Sequence, residues 1–335
     1  MKKIISENYK SIRVKPINFN YKDDLLFKNE YVKTIPETYY LFDKNIYLNN
    51  NNLYKYKYLN KYLSETKMDT DNWNFFKNSL KKLMNKSFPK HISYIDQASW
   101  VIDDKSINYF HWMTDVLSRI ALIPPPLLDN YPIMVPKKLI YKSFIRESLE
   151  LLKTNYITYE ENDSYKIGKM LITSHVAPAG NFNKNFILTV RDQLLKTIDT
   201  RPNTGARLWV SRKKQNRRTL VNEDEILEIL LEFGFQIILP EELSFKEQLK
   251  LFSGASLLAG THGAALTNAM FMETNSSILE IRASNDTHRN PFFTLASEFD
   301  LRYYYLLADP KVDSLESDLY LNPKNFKNTL MSILN

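Results

Sequence analysis

Between residues 208 and 307, short apolar runs alternate with helical runs, and the loops between them are brief. Segments 208–211, 236–239, 257–260, 277–281 and 302–307 read as strands, and 223–233, 244–252, 264–271 and 291–299 as helices. Gly234 ends the first of these helices, while Ser244 and Glu247 have the S-x-x-E spacing of a capping box at the start of the second. Five strands with four intervening helices predict a parallel, doubly wound sheet. Ligands of such sheets bind in the crevice beyond the carboxyl ends of the strands, so the loops following 208–211 and 257–260 are where chemistry is expected.

A less regular alternation precedes it. Segment 92–102 is β-rich, 107–123 helical, 131–135 short and apolar, 138–152 helical, and 156–159 and 170–173 β-like. Segment 177–206 carries Pro178, Gly180, Pro202 and Gly205 around a helical stretch near 186–198, and reads as the connection between two lobes, with a boundary near 200. Two domains suit 335 residues at roughly 100–200 residues each. Residues 1–90 are rich in Asn, Lys and Tyr, including an Asn run at 49–52, and show little periodicity. They are expected to form a peripheral segment of the first lobe, followed by an α/β domain at 91–200, a Rossmann-like domain at 201–310 and a final segment at 311–335.

The 45 Lys and Arg residues against 38 Asp and Glu give a net charge of +7, which favours anionic partners without naming one. Cysteine is absent, which excludes disulfides, thiolate nucleophiles and cysteine zinc sites and makes a reducing cytoplasm the expected compartment. After Met1, Lys2 and Lys3, the polar Ser6-Glu7-Asn8-Tyr9-Lys10-Ser11 stands where a signal peptide needs an apolar stretch, so secretion by that route is not expected. Pro124-Pro125-Pro126 and Pro240 break the most apolar regions, and any membrane association is expected to be peripheral, at the inner face.

Three constellations carry candidate chemistry. Ser211-Arg212-Lys213-Lys214-Gln215-Asn216-Arg217-Arg218 follows a strand directly and could hold phosphate oxygens with guanidinium forks, or be a solvated basic loop. Ala259-Gly260-Thr261-His262-Gly263-Ala264-Ala265-Leu266-Thr267-Asn268 passes from a strand through two glycines into a helix, which offers backbone N–H groups and a positive dipole end to an anion, or merely makes a Gly-assisted turn around a packed histidine. On the helix containing Asn108-Tyr109-Phe110-His111-Trp112-Met113-Thr114-Asp115, residues His111, Asp115 and Arg119 share one face. A carboxylate one turn away can orient an imidazole as a general base; the same row also suits a surface ion-pair ladder. Asp69-Thr70-Asp71 has D-x-D spacing but no apolar strand before it, the five histidines lack zinc-site spacing, and no G-x-S-x-G elbow is present.

In their order these blocks resemble glycosyltransferase family 61, through 108–115 with Arg119, 211–218 with Asn222 and Glu223, Phe245 with Gln248, and 259–268 with Phe271, Met272, Glu280 and Ile281. The resemblance implies a GT-B fold, in which two Rossmann-like doubly wound α/β domains face a central cleft, with residues 311–335 packing back toward the first. It implies an inverting, metal-independent transferase that takes a nucleotide-sugar donor, expected to be UDP-linked, and a glycan acceptor, with no cofactor, in capsule or surface-polysaccharide assembly. His111 or Asp115 would be the base, and Ser211, Arg212, Arg217, Thr261, His262, Gly263, Ala264, Asn268 and Glu280 would hold the donor. A catalytically silent nucleotide-sugar-binding module and a basic polyanion- or nucleic-acid-binding protein are the alternatives; nucleic acid is not the expected partner.

Overall fold

The computed structural model describes residues 2–55, 92–198 and 205–335; Asp69, Thr70 and Asp71 and the boundary expected near 200 lie outside the described residues. In chain order the strands are β1 (Lys2–Ser6), β2 (Tyr9–Ile12), β3 (Val32–Ile35), β4 (Thr38–Asn49), β5 (Asn52–Lys55), β6 (Ser93–Trp100), β7 (Ile133–Pro136), β8 (Tyr156–Tyr159), β9 (Ser164–Thr173), β10 (Ala206–Val210), β11 (Phe235–Ile238), β12 (Ala255–Thr261), β13 (Ser277–Ala283), β14 (Arg302–Pro310) and β15 (Leu319–Tyr320). The chain divides into two compact units, one of Met1–Tyr9 with Ile35–Gln193 and one of Lys10–Thr34 with Leu194–Asn335.

The sheet of the first unit has the order β1-β4-β9-β6-β7-β8, with β5 paired to β4. Strands β6 to β9 pair in parallel, whereas β4 runs antiparallel to both β1 and β9. The Asn run is a hairpin turn: Asn49 pairs with Asn52, and Asn50 and Asn51 take φ of 47° and 58°. Positive φ at both central residues of a two-residue turn matches the right-handed twist of the flanking strands, and Asn tolerates it. Residues 38–55 are therefore an integral part of the sheet, not the peripheral layer expected of them.

The second unit has the order β11-β10-β12-β13-β14-β15, parallel from β11 to β14, as its alternating pattern predicts. The helix Phe245–Ser253 starts at the expected capping box, with Ser244 and Glu247 exchanging side-chain-to-backbone hydrogen bonds. One face of the sheet buries Trp209, Leu257, Leu279 and Ile281 against Ile226 and Leu230, and the helix Pro323–Leu334 adds Phe326, Leu330 and Ile333. Residues 311–335 thus complete the core of their own unit, where the apolar stripe of the last helix meets Trp209 and its neighbours. Residues 10–34 also count with this unit, where Phe27 packs edge-on to Phe293 and Tyr305 at 5.1 and 5.0 Å. Burying a phenylalanine contributes about 1.5–3 kcal/mol, enough to anchor a short polar segment.

Both sheets contain a point where the chain reverses its direction of winding. In the first unit β6 leads outward through β7 to β8, and β9 returns on the other side of β6; in the second, β11 lies on one side of β10 and β12 on the other. The carboxyl ends of β6 and β9, and of β10 and β12, flank these two switch points.

Candidate functional site

In the second unit Val210 and Gly260 are paired, so the loops leaving β10 and β12 start side by side. Ser211 Oγ donates to Glu223 Oε1 at 2.7 Å and accepts from the Lys213 backbone N at 3.1 Å, which pins the base of the basic loop to the next helix. Arg212 folds back and donates from Nη2 to the Arg217 carbonyl at 3.1 Å. Its guanidinium lies against Gly263, where a Cβ would collide with Nη1. Glycine at 263 serves close approach, since its φ of 177° is open to any residue. Thr261 Oγ1 donates to the Arg218 carbonyl at 3.3 Å, a second tie between the two loops. The two constellations read from the sequence therefore meet.

Positive charge is concentrated here beyond what the protein neutralises. Burial, followed by the charges of Arg218 and Arg217, pulls the Arg212 pKa down to about 10 against the opposing charges of Glu316 and Glu241, and leaves it protonated at neutral pH. Arg217 and Arg218 approach Glu316 Oε2 at 3.1 and 3.5 Å, and Arg289 approaches Oε1 at 3.2 Å. Burial acts to raise Glu316, but Arg218, Arg289 and Arg217 outweigh it and hold the carboxyl below its usual range. One carboxylate faces three guanidinium groups.

Behind this surface His262, Asn268 and Glu280 brace the turn. His262 donates its backbone N to the Ile281 carbonyl at 2.8 Å, so that N–H belongs to the sheet and not to an anion. Its Nδ1 pairs with the buried Glu280, whose Oε2 accepts from Tyr303 Oη at 2.5 Å. Burial would raise Glu280, but the His262 charge and hydrogen bond, with Arg282 and Tyr303, hold it below the usual carboxylate range. Asn268, fully buried, donates to the Ala265 carbonyl at 3.1 Å and to Gln248 Oε1 at 3.3 Å. Asn268 and Glu280 were expected among the donor-binding groups; the fold buries both beneath the loop, because strand β13 and the 3-10 helix Ala264–Phe271 point them into the interior. Gly263 and Ala264 instead stand at the start of that helix, whose first N–H groups have no helical partner.

In the first unit the segment after β6 caps its helix with Asn108, whose side chain accepts from the Phe110 backbone N at 2.9 Å. The turn Trp112–Val116 is π-helical, a widening that recurs at functional sites. His111 Nδ1 lies 2.7 Å from Asp115 Oδ2; the ring is 20% exposed and the carboxylate is buried. Burial raises the Asp115 pKa, and Asp103 adds to the rise, while the hydrogen bond and charge of His111, and Arg119, oppose it. Arg119 does not extend the row as a surface ladder: from full burial it donates Nε and Nη2 to Thr173 Oγ1 and O, both at 2.9 Å, and Thr173 Oγ1 donates to the Trp100 carbonyl at 3.2 Å. It ties the ends of β9 and β6 under the dyad. Sequence reading missed Asp103, His175, Arg289 and Glu316, which become neighbours only through strand pairing and loop return. Among the described residues, no group of three His, Cys, Asp or Glu is placed to hold a metal ion, and no helix is long and apolar enough to cross a membrane.

The second unit is a parallel α/β sheet whose switch point joins a guanidinium-rich loop to a glycine-opened turn. The chain belongs to glycosyltransferase family 61: the family model Glycosyltransferase 61 matches residues 109–279, just over half of the chain and inclusive of the His111–Asp115 dyad and both loops. It is 28% identical over 136 residues to mouse (Mus musculus) protein O-linked-mannose beta-1,4-N-acetylglucosaminyltransferase 2, covering 39% of this chain and 23% of that protein. The Takifugu rubripes protein of the same name is 33% identical over 97 residues, 27% of this chain and 16% of its own. Alpha-1,3-arabinosyltransferase XAT3 of Oryza sativa subsp. japonica is 28% identical over 72 residues, 21% of this chain and 12% of its own. The matches span less than a quarter of these relatives' own length.

Proposed function

We propose that this protein is an inverting glycosyltransferase that moves a sugar from a UDP-linked donor to a hydroxyl of a glycan acceptor, its two units serving as the lobes of a GT-B enzyme. The observation that carries the reading is the meeting of Arg212 with Gly263 at a switch point, in a cluster whose guanidinium groups outnumber its carboxylates. A departing nucleoside diphosphate is what such a cluster suits, since preorganised cations stabilise charge as it develops and take over the part that a metal plays elsewhere. Arg212, Arg217 and the N–H groups of Gly263 and Ala264 would hold it.

His111 is the better base of the dyad. Its ring reaches solvent, while Asp115 is buried and committed to Nδ1, an arrangement that leaves Nε2 as the proton acceptor. The acceptor oxygen attacks the anomeric carbon as the bond from that carbon to the phosphate oxygen breaks. The hydroxyl proton passes to His111 Nε2, and the bonding electrons leave with the diphosphate. One displacement inverts the anomeric centre. The relatives' names, an N-acetylglucosaminyltransferase and an arabinosyltransferase, support sugar transfer, and we propose capsule or surface-polysaccharide assembly on the cytoplasmic side of the membrane as its setting.

Isothermal titration with UDP tests the reading. The wild type is expected to bind, and Arg212→Ala to lose affinity by roughly tenfold or more, the worth of a charge-assisted hydrogen-bonded contact. No binding by the wild type, or binding indifferent to the substitution, contradicts it.

A further inference from the structure

Four parallel strands of the second unit, β10, β12, β13 and β14, send loops off their carboxyl ends, and two of those loops lie outside the constellations read from the sequence. Arg289 belongs to the loop after β13. Glu316 belongs to the loop 311–318 between β14 and β15, whose neck is paired at Pro310 and Leu319. Residues 311–318 carry Asp313, Glu316 and Asp318 against the single cation Lys311, whereas 211–218 carries five cations. The two loops are neighbours, since the Thr219 N donates to Asp318 Oδ1 at 3.0 Å and the Leu319 N to the Thr219 carbonyl at 2.9 Å.

Glu316 Oε1 accepts from Arg289 Nη1 at 3.2 Å. Its Oε2 lies 3.1 Å from Arg217 Nη1 and 3.5 Å from Arg218 Nε, yet neither Oε2 nor Arg218 Nε has a hydrogen-bond partner among the described residues. Three guanidinium groups from two loops thus converge on one point, and a planar carboxylate with two oxygens does not meet them in hydrogen-bond geometry. The tetrahedral groups of a diphosphate present more oxygens in more directions, which guanidinium forks engage in pairs. The place is open to solvent, with the side chains of Glu316 and Arg217 39% and 60% exposed. Asp286 is buried and already held by Arg282 and by the backbone N–H groups of His288 and Arg289, so Glu316 is the carboxylate that a ligand could displace. Arg212 shares the same field, because it is tied to the Arg217 carbonyl and feels the charge of Glu316. The loop that carries Glu316 is closed on itself: the Lys311 N donates to the Asp318 carbonyl at 2.9 Å, the Val312 N to Ser317 Oγ at 3.1 Å and the Ser317 N to the Ser314 carbonyl at 3.1 Å. It can move as a unit on the neck at Pro310 and Leu319.

We propose that the Glu316 carboxylate stands in for a phosphate of the donor: it holds Arg217, Arg218 and Arg289 together in the free protein, and the diphosphate takes them over as Glu316 and its loop withdraw. The handover rests on the transferase reading above, adds Arg289 to the groups that hold the donor, and makes Glu316 an internal competitor of the nucleotide. Calorimetric titration of the wild type and Glu316→Gln with UDP and with inorganic pyrophosphate, beside hydrogen exchange of the wild type with and without UDP, tests it. Glu316→Gln should bind both anions roughly tenfold more tightly, the worth of one charge-assisted contact that no longer has to be broken. Its melting temperature at low salt should fall, because three guanidinium groups lose their shared counter-charge. In the wild type, UDP should speed exchange at 311–318 while slowing it at 211–218, which a carboxylate that merely braces the loops would not do. Affinities in Glu316→Gln equal to or weaker than wild type overturn the handover, as does exchange at 311–318 that UDP slows or leaves unchanged; UDP binding that still depends on Arg212 then leaves the transferase reading standing. Pyrophosphate bound more tightly by Glu316→Gln, with no UDP bound by either protein, supports the handover and contradicts the transferase reading instead. Neither anion bound by either protein overturns both.

Discussion

The two sheets use one topological device for opposite electrostatics. Each places its polar residues where the winding reverses, but the ends of β6 and β9 gather the Asp103–His175 and His111–Asp115 pairs, whereas the ends of β10 and β12 gather Arg212, Arg217 and Arg218 around a turn of small residues. Surroundings that keep carboxylates buried would suit neutral hydroxyls and a proton; those in which burial and neighbouring guanidinium groups pull down an arginine pKa would suit a diphosphate. The fold supplies two equivalent positions, and in the proposed reading the charge of the loop residues divides their roles.

That contrast can be broken from either side. The largest effect is expected from His111→Ala, which should lower kcat by about 10²–10⁴-fold, the usual worth of a general base, with UDP affinity unchanged; transfer rates beside UDP titrations check it. Equal losses in both would mean that the dyad belongs to the nucleotide site.

The two buried carboxylates should next respond to pH with opposite sign. Glu280, whose folded pKa is lowered, contributes stability that is complete above its ordinary 4.5 and fades as pH falls through the folded value. Glu280→Gln should therefore cost about 3 kcal/mol at pH 7, the scale of a broken buried pair, and the gap should close in acid. Asp115 is raised, so its ionisation weighs against folding as pH climbs from 3.8 through the folded value. Asp115→Asn should leave stability at pH 7 equal or higher while activity falls. Denaturant unfolding of each variant at several pH values measures both.

A smaller effect belongs to Gly263→Ala. The added methyl meets the end of a flexible side chain, so Arg212 should swing aside, with UDP affinity falling roughly fivefold and the melting temperature little changed. Arg217→Ala should be milder still, about twofold and dependent on salt, because its side chain is 60% exposed and shared with Glu316.

Much of the second unit was legible in the sequence because its signals are local. The strands repeat as short apolar runs, Gly234 takes φ of 70° behind the first helix, and Ser244 with Glu247 forms the expected box. The meeting of the 211–218 and 259–268 loops followed from strand order. The first 55 residues were less readable. β4 mixes Tyr, Asp, Lys and Asn, so its burial depends on neighbours supplied by β9, more than a hundred residues away, and the Asn run is informative only once its two positive φ angles are seen. Burial was the other hidden quantity. Asn268 and Glu280 carry the same chemistry as surface donors and acceptors, and only the direction in which their elements face turns them into braces. Asp103 and His175 lie 72 positions apart in sequence and meet through parallel register.

Hydrogen exchange of the wild type with and without UDP tests the division of labour most directly, because it reads both switch points in one experiment. The account predicts slowed exchange at residues 211–218 and 261–266, with the segments 101–111 and 174–183 unchanged. Protection confined to those first-unit segments, or no protection in either unit at saturating UDP, would contradict it.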